Sequence, residues 1–358
     1  MAVWVAMAIG FIQDGESESK GKLMPRPMHE EPTSRRAFLG TAATGAASLA
    51  FAASEKPAAD ALSLEHAPVT VRDRMWIFTV AAGENNNELE RGNIRGGSRM
   101  TPAEGAFYLN VPNLLLIRTR DLPPLPDRES WRTKTSFQQY AISFRPLDRV
   151  VWSVVGSSGI GGMAELHHVL SLAKEFPNIR GIYLDDFIID KRKRADGRFV
   201  KRPALMPSEL RSVRERMKSV GRPMDVWVTL YAHDVNPKHP IYYECDPPLA
   251  SLLDLFDVLC FWTWNADDLP KLEENLALLE ALATKHRRIA LGMYLWDFPN
   301  NRPVPLPLMQ QQCELGLKWL KEKRIHELVF LANTVLDVGL PSDEYVRNWI
   351  KEVGVQPI

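Results

Sequence analysis

From residue 69 onward the chain alternates short runs of β-branched and aromatic residues with longer stretches in which apolar positions recur every three or four residues. The runs predicted as strands are MWIFTVAA from Met75, LLLIRT from Leu114, RVVWSVVG from Arg149 and GIYLDDF from Gly181. Four more follow: DVWVTLYAHD from Asp225, FDVLCFWTW from Phe256, RIALGMYLWDF from Arg288 and ELVFLANTV from Glu327. Between them, the stretches starting at Met163, Ser208, Leu269 and Met309 set apolar residues on one helical face and charges on the other. Parallel strands need a crossover, so strands each followed by a helix predict parallel pairing. Eight such units in one chain predict an α/β fold of the closed (β/α)8 type, a TIM barrel, as a single domain. An open doubly wound sheet is the alternative, but Ala81-Ala82-Gly83-Glu84-Asn85 lacks its G-x-G-x-x-G turn.

In such a barrel chemistry sits at the C-terminal ends of the strands. Those ends carry Glu84 after the first, Arg118 at the second, Asp185 and Asp186 at the fourth, and Tyr231, His233 and Asp234 at the fifth. Trp262 and Trp264 stand at the sixth, Tyr294, Trp296 and Asp297 at the seventh, and Asn333 at the eighth. Strand alternation points Gly181, Tyr183 and Asp185 inward on the fourth strand, and Trp227, Thr229, Tyr231 and His233 inward on the fifth. Gly292, Tyr294 and Trp296 point inward on the seventh. The expected site is a cup with a carboxylate at its floor and rings around its wall, a composition that suits sugar C–H faces and hydroxyls.

The 358 residues carry 44 basic and 44 acidic side chains, so no overall field favours nucleic acid or an anionic membrane. One local exception is Lys191-Arg192-Lys193-Arg194 with Arg198, Lys201 and Arg202 around Asp196-Gly197, which predicts a basic hairpin near the mouth. It would suit an anionic glycan, or serve as a solvated surface loop. No cofactor or metal is expected: His167-His168 has no partner at ligand spacing, and no H-E-x-x-H or G-x-S-x-G occurs. The loop Ser157-Ser158-Gly159 with Gly161-Gly162 reads as a connection, its phosphate-binding alternative resting on backbone N–H groups. Cys245, Cys260 and Cys313 are too few and too odd for a disulfide framework, and nothing in their spacing supports a Cys245–Cys313 bridge. An aldolase-type barrel would want a lysine at a strand end, and the eight runs have none.

The run Gly181-Ile182-Tyr183-Leu184-Asp185-Asp186-Phe187 resembles the fourth-strand signature of several barrel glycoside hydrolases. That resemblance implies carbohydrate cleavage with Asp185 as nucleophile or base, and leaves the acid open among Asp186, Asp297, Asp234 and Glu84. The substrate-binding set expected around them is Tyr183, Tyr231, His233, Trp262, Trp264, Tyr294, Trp296, Asn333 and Arg118. Chitinase-like families would show glutamate where Phe187 stands, which argues against that branch. A barrel that binds carbohydrate without cleaving it is the second reading.

Before the barrel, Ser34-Arg35-Arg36-Ala37-Phe38-Leu39-Gly40 and the small, apolar run after it resemble a twin-arginine (Tat) translocation signal, with an A-x-A site at Ala50-Phe51-Ala52. The resemblance implies a signal region over 1–52, a linker over 53–68, the barrel over 69–358, passage through the Tat machinery, and a periplasmic or secreted product. The stretch ahead of the arginines is long, and a start at Met24 or Met28 would give it ordinary proportions. No apolar run is long enough to span a membrane, so no anchor is expected in the mature form.

Overall fold

The computed structural model describes residues 68–119, 123, 136–283 and 288–358; the Tat-like segment and most of the expected linker lie outside them. In chain order the strands are β1 (Met75–Thr79), β2 (Asn113–Leu116), β3 (Arg149–Val155), β4 (Ile179–Leu184), β5 (Ile188–Lys193) and β6 (Phe199–Pro203). They continue with β7 (Asp225–Tyr231), β8 (Val258–Trp262), β9 (Arg288–Tyr294), β10 (Trp296–Asp297), β11 (Arg302–Pro303) and β12 (Glu327–Leu331). The helices are α1 (Asn86–Arg91), α2 (Pro102–Leu109), α3 (Ser136–Ser143), α4 (Met163–Glu175) and α5 (Pro207–Met217). After these come α6 (Ala232–Val235), α7 (Leu249–Leu253), α8 (Leu272–Leu282), α9 (Leu306–Lys321) and α10 (Pro341–Val353).

Eight strands close into one barrel in the order β1-β12-β9-β8-β7-β4-β3-β2, every neighbouring pair parallel. Each predicted run supplies one of them. Closure is set by the pairing of Trp76 with both Val329 on one side and Asn113 on the other. The other four strands form two antiparallel hairpins at the C-terminal side of the barrel, β5–β6 after β4 and β10–β11 after β9. The turn Arg194 to Arg198 closes over Asp196-Gly197, with Gly197 at φ 86°, a backbone region that favours glycine.

The barrel interior is aromatic and layered. Trp76 of β1 packs on Trp227 of β7 at 4.8 Å, and Phe78, one pleat higher, meets the edges of Tyr183 at 6.1 Å and Trp262 at 5.6 Å. At the N-terminal end the floor is ionic: Glu327, fully buried, accepts from Trp76 Nε1 at 2.8 Å and from Arg149 at 2.9 Å. Arg149 also stacks over the Trp76 ring at 4.6 Å and donates to Asn113. Outside the barrel the alternate residues meet the helices, as where Trp152 of β3 packs against Phe137 and Phe144 at 5.3 and 5.9 Å. All three cysteines are free, Cys260 and Cys313 in the core and Cys245 partly buried. Among the described residues no helix is long and apolar enough to cross a membrane.

Candidate active site

A cavity of about 410 Å³ opens at the C-terminal ends of the barrel strands. Its lining includes Glu84, Arg118, Asp185, Asp186, Tyr231, Trp262, Trp264 and Tyr294 among the residues expected from sequence. Tyr183, His233, Asp234, Trp296, Asp297 and Asn333 do not line it. For all but Tyr183, which stays within β4, the difference follows from where each strand stops being a strand.

Asp185 directly follows β4, its backbone N–H bonded to Val155 of β3, which continues the strand's alternation and aims the side chain at the cavity floor. It is 6% exposed and accepts from Thr229 Oγ1 at 2.8 Å. Burial first, and the adjacent Asp186 second, raise its carboxyl well above the usual carboxylate range. Thr229 Oγ1 also lies 2.9 Å from the Tyr183 hydroxyl, to which Trp262 Nε1 donates at 3.3 Å. Tyr183 therefore stands beneath the floor, fully buried, as a support for Asp185 through Thr229.

At Asp186 the chain leaves the strand: φ of 43° rotates this residue so that it, too, reaches the cavity rather than the helix layer. Its two oxygens accept from Tyr231 Oη at 2.6 Å and from the Ser158 backbone N–H at 2.7 Å. The glycine-rich loop after β3 thus spends its N–H on a carboxylate of the chain. Its close approach is permitted by Gly156, where a Cβ would lie 2.1 Å from the Arg118 carbonyl oxygen. Arg118 donates to Glu165 at 2.9 Å and to the Pro123 carbonyl.

On the fifth strand of the barrel the period-two reading ends one residue too early for His233. The chain turns helical at Ala232, with Asp234 accepting from the Tyr231 N–H at 3.0 Å. His233 consequently stacks flat on Tyr231, ring centroids 4.9 Å apart and planes 9° apart, and faces a neighbouring cavity of about 270 Å³. Burial, and then nearby Lys201 and His239, push its imidazole down to about 3. Asp234 is buried and paired with Lys201 of β6 at 2.9 Å, which pins the basic hairpin to the barrel end.

At β9 the alternation ends similarly. Tyr294 lines the cavity, whereas Trp296 lies fully buried in the β10–β11 hairpin, its ring filling space where a Cβ on Gly92 would sit 2.4 Å away. Asp297 is buried and holds Arg302 and Asn300, both at 2.9 Å. Asn333 binds the Val80 backbone and the Met100 carbonyl, tying the end of β12 to the loops after β1. Phe187 is core, edge-on to Phe256 at 5.4 Å.

The wall is completed by Trp262, Trp264, Tyr294 and Phe298, the last meeting Tyr294 edge-on at 5.7 Å. Gly292 makes room for this wall: a Cβ there would come within 2.1 Å of the Trp262 ring. Sequence reasoning did not single out Phe298 or Phe78; it named the Ser158 loop for its backbone N–H groups but not their bond to Asp186, and Thr229 was legible as an inward residue two positions before Tyr231. No residue of the basic hairpin lines the cavity. Several of its charges are answered nearby: Lys191 lies 3.9 Å from the Tyr243 ring centroid, and Arg198 pairs with Asp196 at 3.0 Å. Among the described residues no histidine, cysteine and carboxylate cluster could hold a metal ion.

No protein-family model matches the chain, and no curated protein matches it in sequence. Among solved structures it is similar to the spore cortex-lytic enzyme SleL of Bacillus cereus, at 10% identity over 79% of this chain and 75% of that one, with a TM-score of 0.46. It is also similar to a psychrophilic family 10 endo-β-1,4-xylanase, at 12% identity over 78% and 97% of the two chains and a TM-score of 0.45. A fungal family 18 endo-β-N-acetylglucosaminidase gives 10% identity, 77% and 96% coverage, and a TM-score of 0.46. None of these likenesses is strong enough to bear on substrate or mechanism.

Proposed function

We propose that the chain is a glycoside hydrolase acting on an oligo- or polysaccharide, exported through the Tat pathway to the periplasm or beyond. The observation that carries the enzymatic reading is the Asp185-Asp186 pair at the floor of an aromatic-walled cavity at the C-terminal face of the barrel. Glycosidic cleavage needs one carboxyl group that holds a proton for the leaving oxygen and another that is ionised to attack or to activate water. The resemblance at β4 assigned Asp185 the ionised role. Its environment favours the other: burial and the adjacent Asp186 carboxyl raise its pKa well above the usual carboxylate range, which favours the proton-bearing form. The Asp185-Asp186 pair then serves as the acid. Glu84, on the loop after β1 and three strands around the barrel, lines the same cavity and is the candidate for the second carboxyl group. Trp262, Trp264, Tyr231 and Tyr294 supply ring faces and edge hydrogen bonds for the sugar.

The test is hydrolysis of a panel of neutral, uronate-bearing and sulfated glycans by the mature chain from Ala53. Asp185→Asn, Asp186→Asn and Glu84→Gln should each lower kcat by about 10²–10⁴-fold while glycan binding persists. The pH dependence has a definite sign. A proton-bearing Asp185 is active below its raised pKa, so the rate falls as pH rises through that value, and Asp185→Asn removes this limb. The anomer released first by the wild-type chain, read by NMR, distinguishes retaining from inverting chemistry. Binding without cleavage would sink the hydrolase reading in favour of a carbohydrate-binding barrel, which the protein-side partners of both aspartates also suit. Neither binding nor cleavage would sink the carbohydrate reading itself.

A further inference from the structure

Beyond the carboxylate cavity lies the second one, of about 270 Å³, lined by His233, His239, Pro240, Ile241, Trp264 and Asp268 among others. Trp264 borders both cavities, and it is 40% exposed, an unusual position for an indole unless something covers it. Ile241, also on this second cavity, is 42% exposed. Two uncovered apolar side chains thus share a small hollow with polar ring edges. His239 Nε2 lies 3.0 Å from Asp268 Oδ2, and His233 presents an imidazole that burial keeps neutral. No lysine or arginine lines this hollow, and its one carboxylate is paired with a histidine. Apolar faces and hydrogen-bonding edges, with no lysine or arginine among them, are what a neutral sugar ring presents in complement.

We propose that the hollow beyond Trp264 is a second sugar-binding subsite, so that the chain takes an extended neutral oligosaccharide rather than a single terminal unit; this rests on the carbohydrate reading above. Its volume has room for one sugar unit rather than a chain, and Trp264 sits where the occupants of the two cavities would meet. The subsite also abuts the chemistry. His233 stacks on Tyr231, and Tyr231 Oη donates to Asp186 at 2.6 Å. A sugar held beyond Trp264 therefore rests beside the group that orients Asp186, so its binding energy can be expressed in turnover as well as affinity.

The test uses the full mature chain and a ladder of neutral β-1,4- and α-1,4-linked oligosaccharides from disaccharide to hexasaccharide, followed by calorimetry and by product release. Affinity should step up by about tenfold, equivalent to about 1.4 kcal/mol, at the length that first reaches past Trp264. Ile241→Ala and, separately, Asp268→Ala should remove most of that step, with thermal unfolding confirming that both variants fold. A smooth length dependence in the wild-type chain, or a step that survives both substitutions, overturns the subsite. A step lost in the variants without any cleavage supports the subsite and sinks only the hydrolase reading. Failure of every neutral oligosaccharide to bind overturns the subsite, while the carbohydrate reading falls only if the uronate-bearing and sulfated glycans also fail to bind.

Discussion

Asp185 and Asp186 are neighbours in sequence and yet live in different environments. Asp185 completes the pleat of β4 and is drawn into the barrel beside Thr229; Asp186 takes a left-handed turn and is caught by Tyr231 and Ser158. A run of two aspartates after an apolar strand is visible in the sequence. Which of them is buried is not, because it depends on a loop more than twenty positions upstream. Gly292 shows the opposite case, a residue with no chemistry that shapes the site. Gly292→Ala would drive a methyl group into the Trp262 ring, push the indole toward the cavity and break its bond to Tyr183. The expected outcome is a loss of about 1–3 kcal/mol in urea unfolding together with weakened glycan binding. Wild-type stability and binding in this variant would show that the ring has freedom to move aside.

The eight strands are legible because their runs are short, β-branched or aromatic, and separated by segments of helical period, and each predicted run became a barrel strand. The periodicity argument fails where an element ends. His233 and Trp296 continue the inward count on paper, but α6 begins at Ala232 and the β10–β11 hairpin begins at Trp296. The side chains beyond those points obey the geometry of the new element. The β5–β6 hairpin was foreshadowed by Asp196-Gly197, while its anchoring through Lys201 to Asp234 joins residues 33 positions apart and has no local signature. The N-terminal segment lies outside the described residues, and its role is a matter for export experiments. Replacing Arg35 and Arg36 by lysines should leave full-length precursor inside the cell, whereas the unaltered chain should appear outside the cytoplasm with Ala53 at its N-terminus. Export unaffected by the double substitution would rule out the Tat route.

The two ends of the barrel differ in kind. Its N-terminal floor is a buried ionic knot around Glu327, and its C-terminal mouth holds the carboxyl pair. Glu327 bonds Trp76 and Arg149 and lies 3.6 Å from Arg74, so it joins β1, β3 and β12 across the closure of the sheet. Glu327→Ala would strand Arg149 with a charge it cannot fully solvate, and should cost about 3 kcal/mol in denaturant unfolding. Glu327→Gln, which keeps an acceptor for Trp76, should cost less. A loss below about 1 kcal/mol for the alanine variant would show that the floor is not what holds the barrel closed.

The linear order of apolar and polar residues was enough to specify eight β/α units, their parallel pairing and the end of the barrel at which polar and aromatic residues collect. Those properties depend on periods of two and of three to four residues, which are local. The membership of the cavity was a different matter. Glu84, Arg118, Asp185, Asp186, Tyr231, Trp262, Trp264 and Tyr294 meet there, whereas Asp234 and Asn333 are consumed in tying loops to the barrel, and Trp296 and Asp297 are buried in the β10–β11 hairpin. Their separation turns on where strands end and on hydrogen bonds between residues far apart in the chain. Such contacts exist only once the barrel has closed.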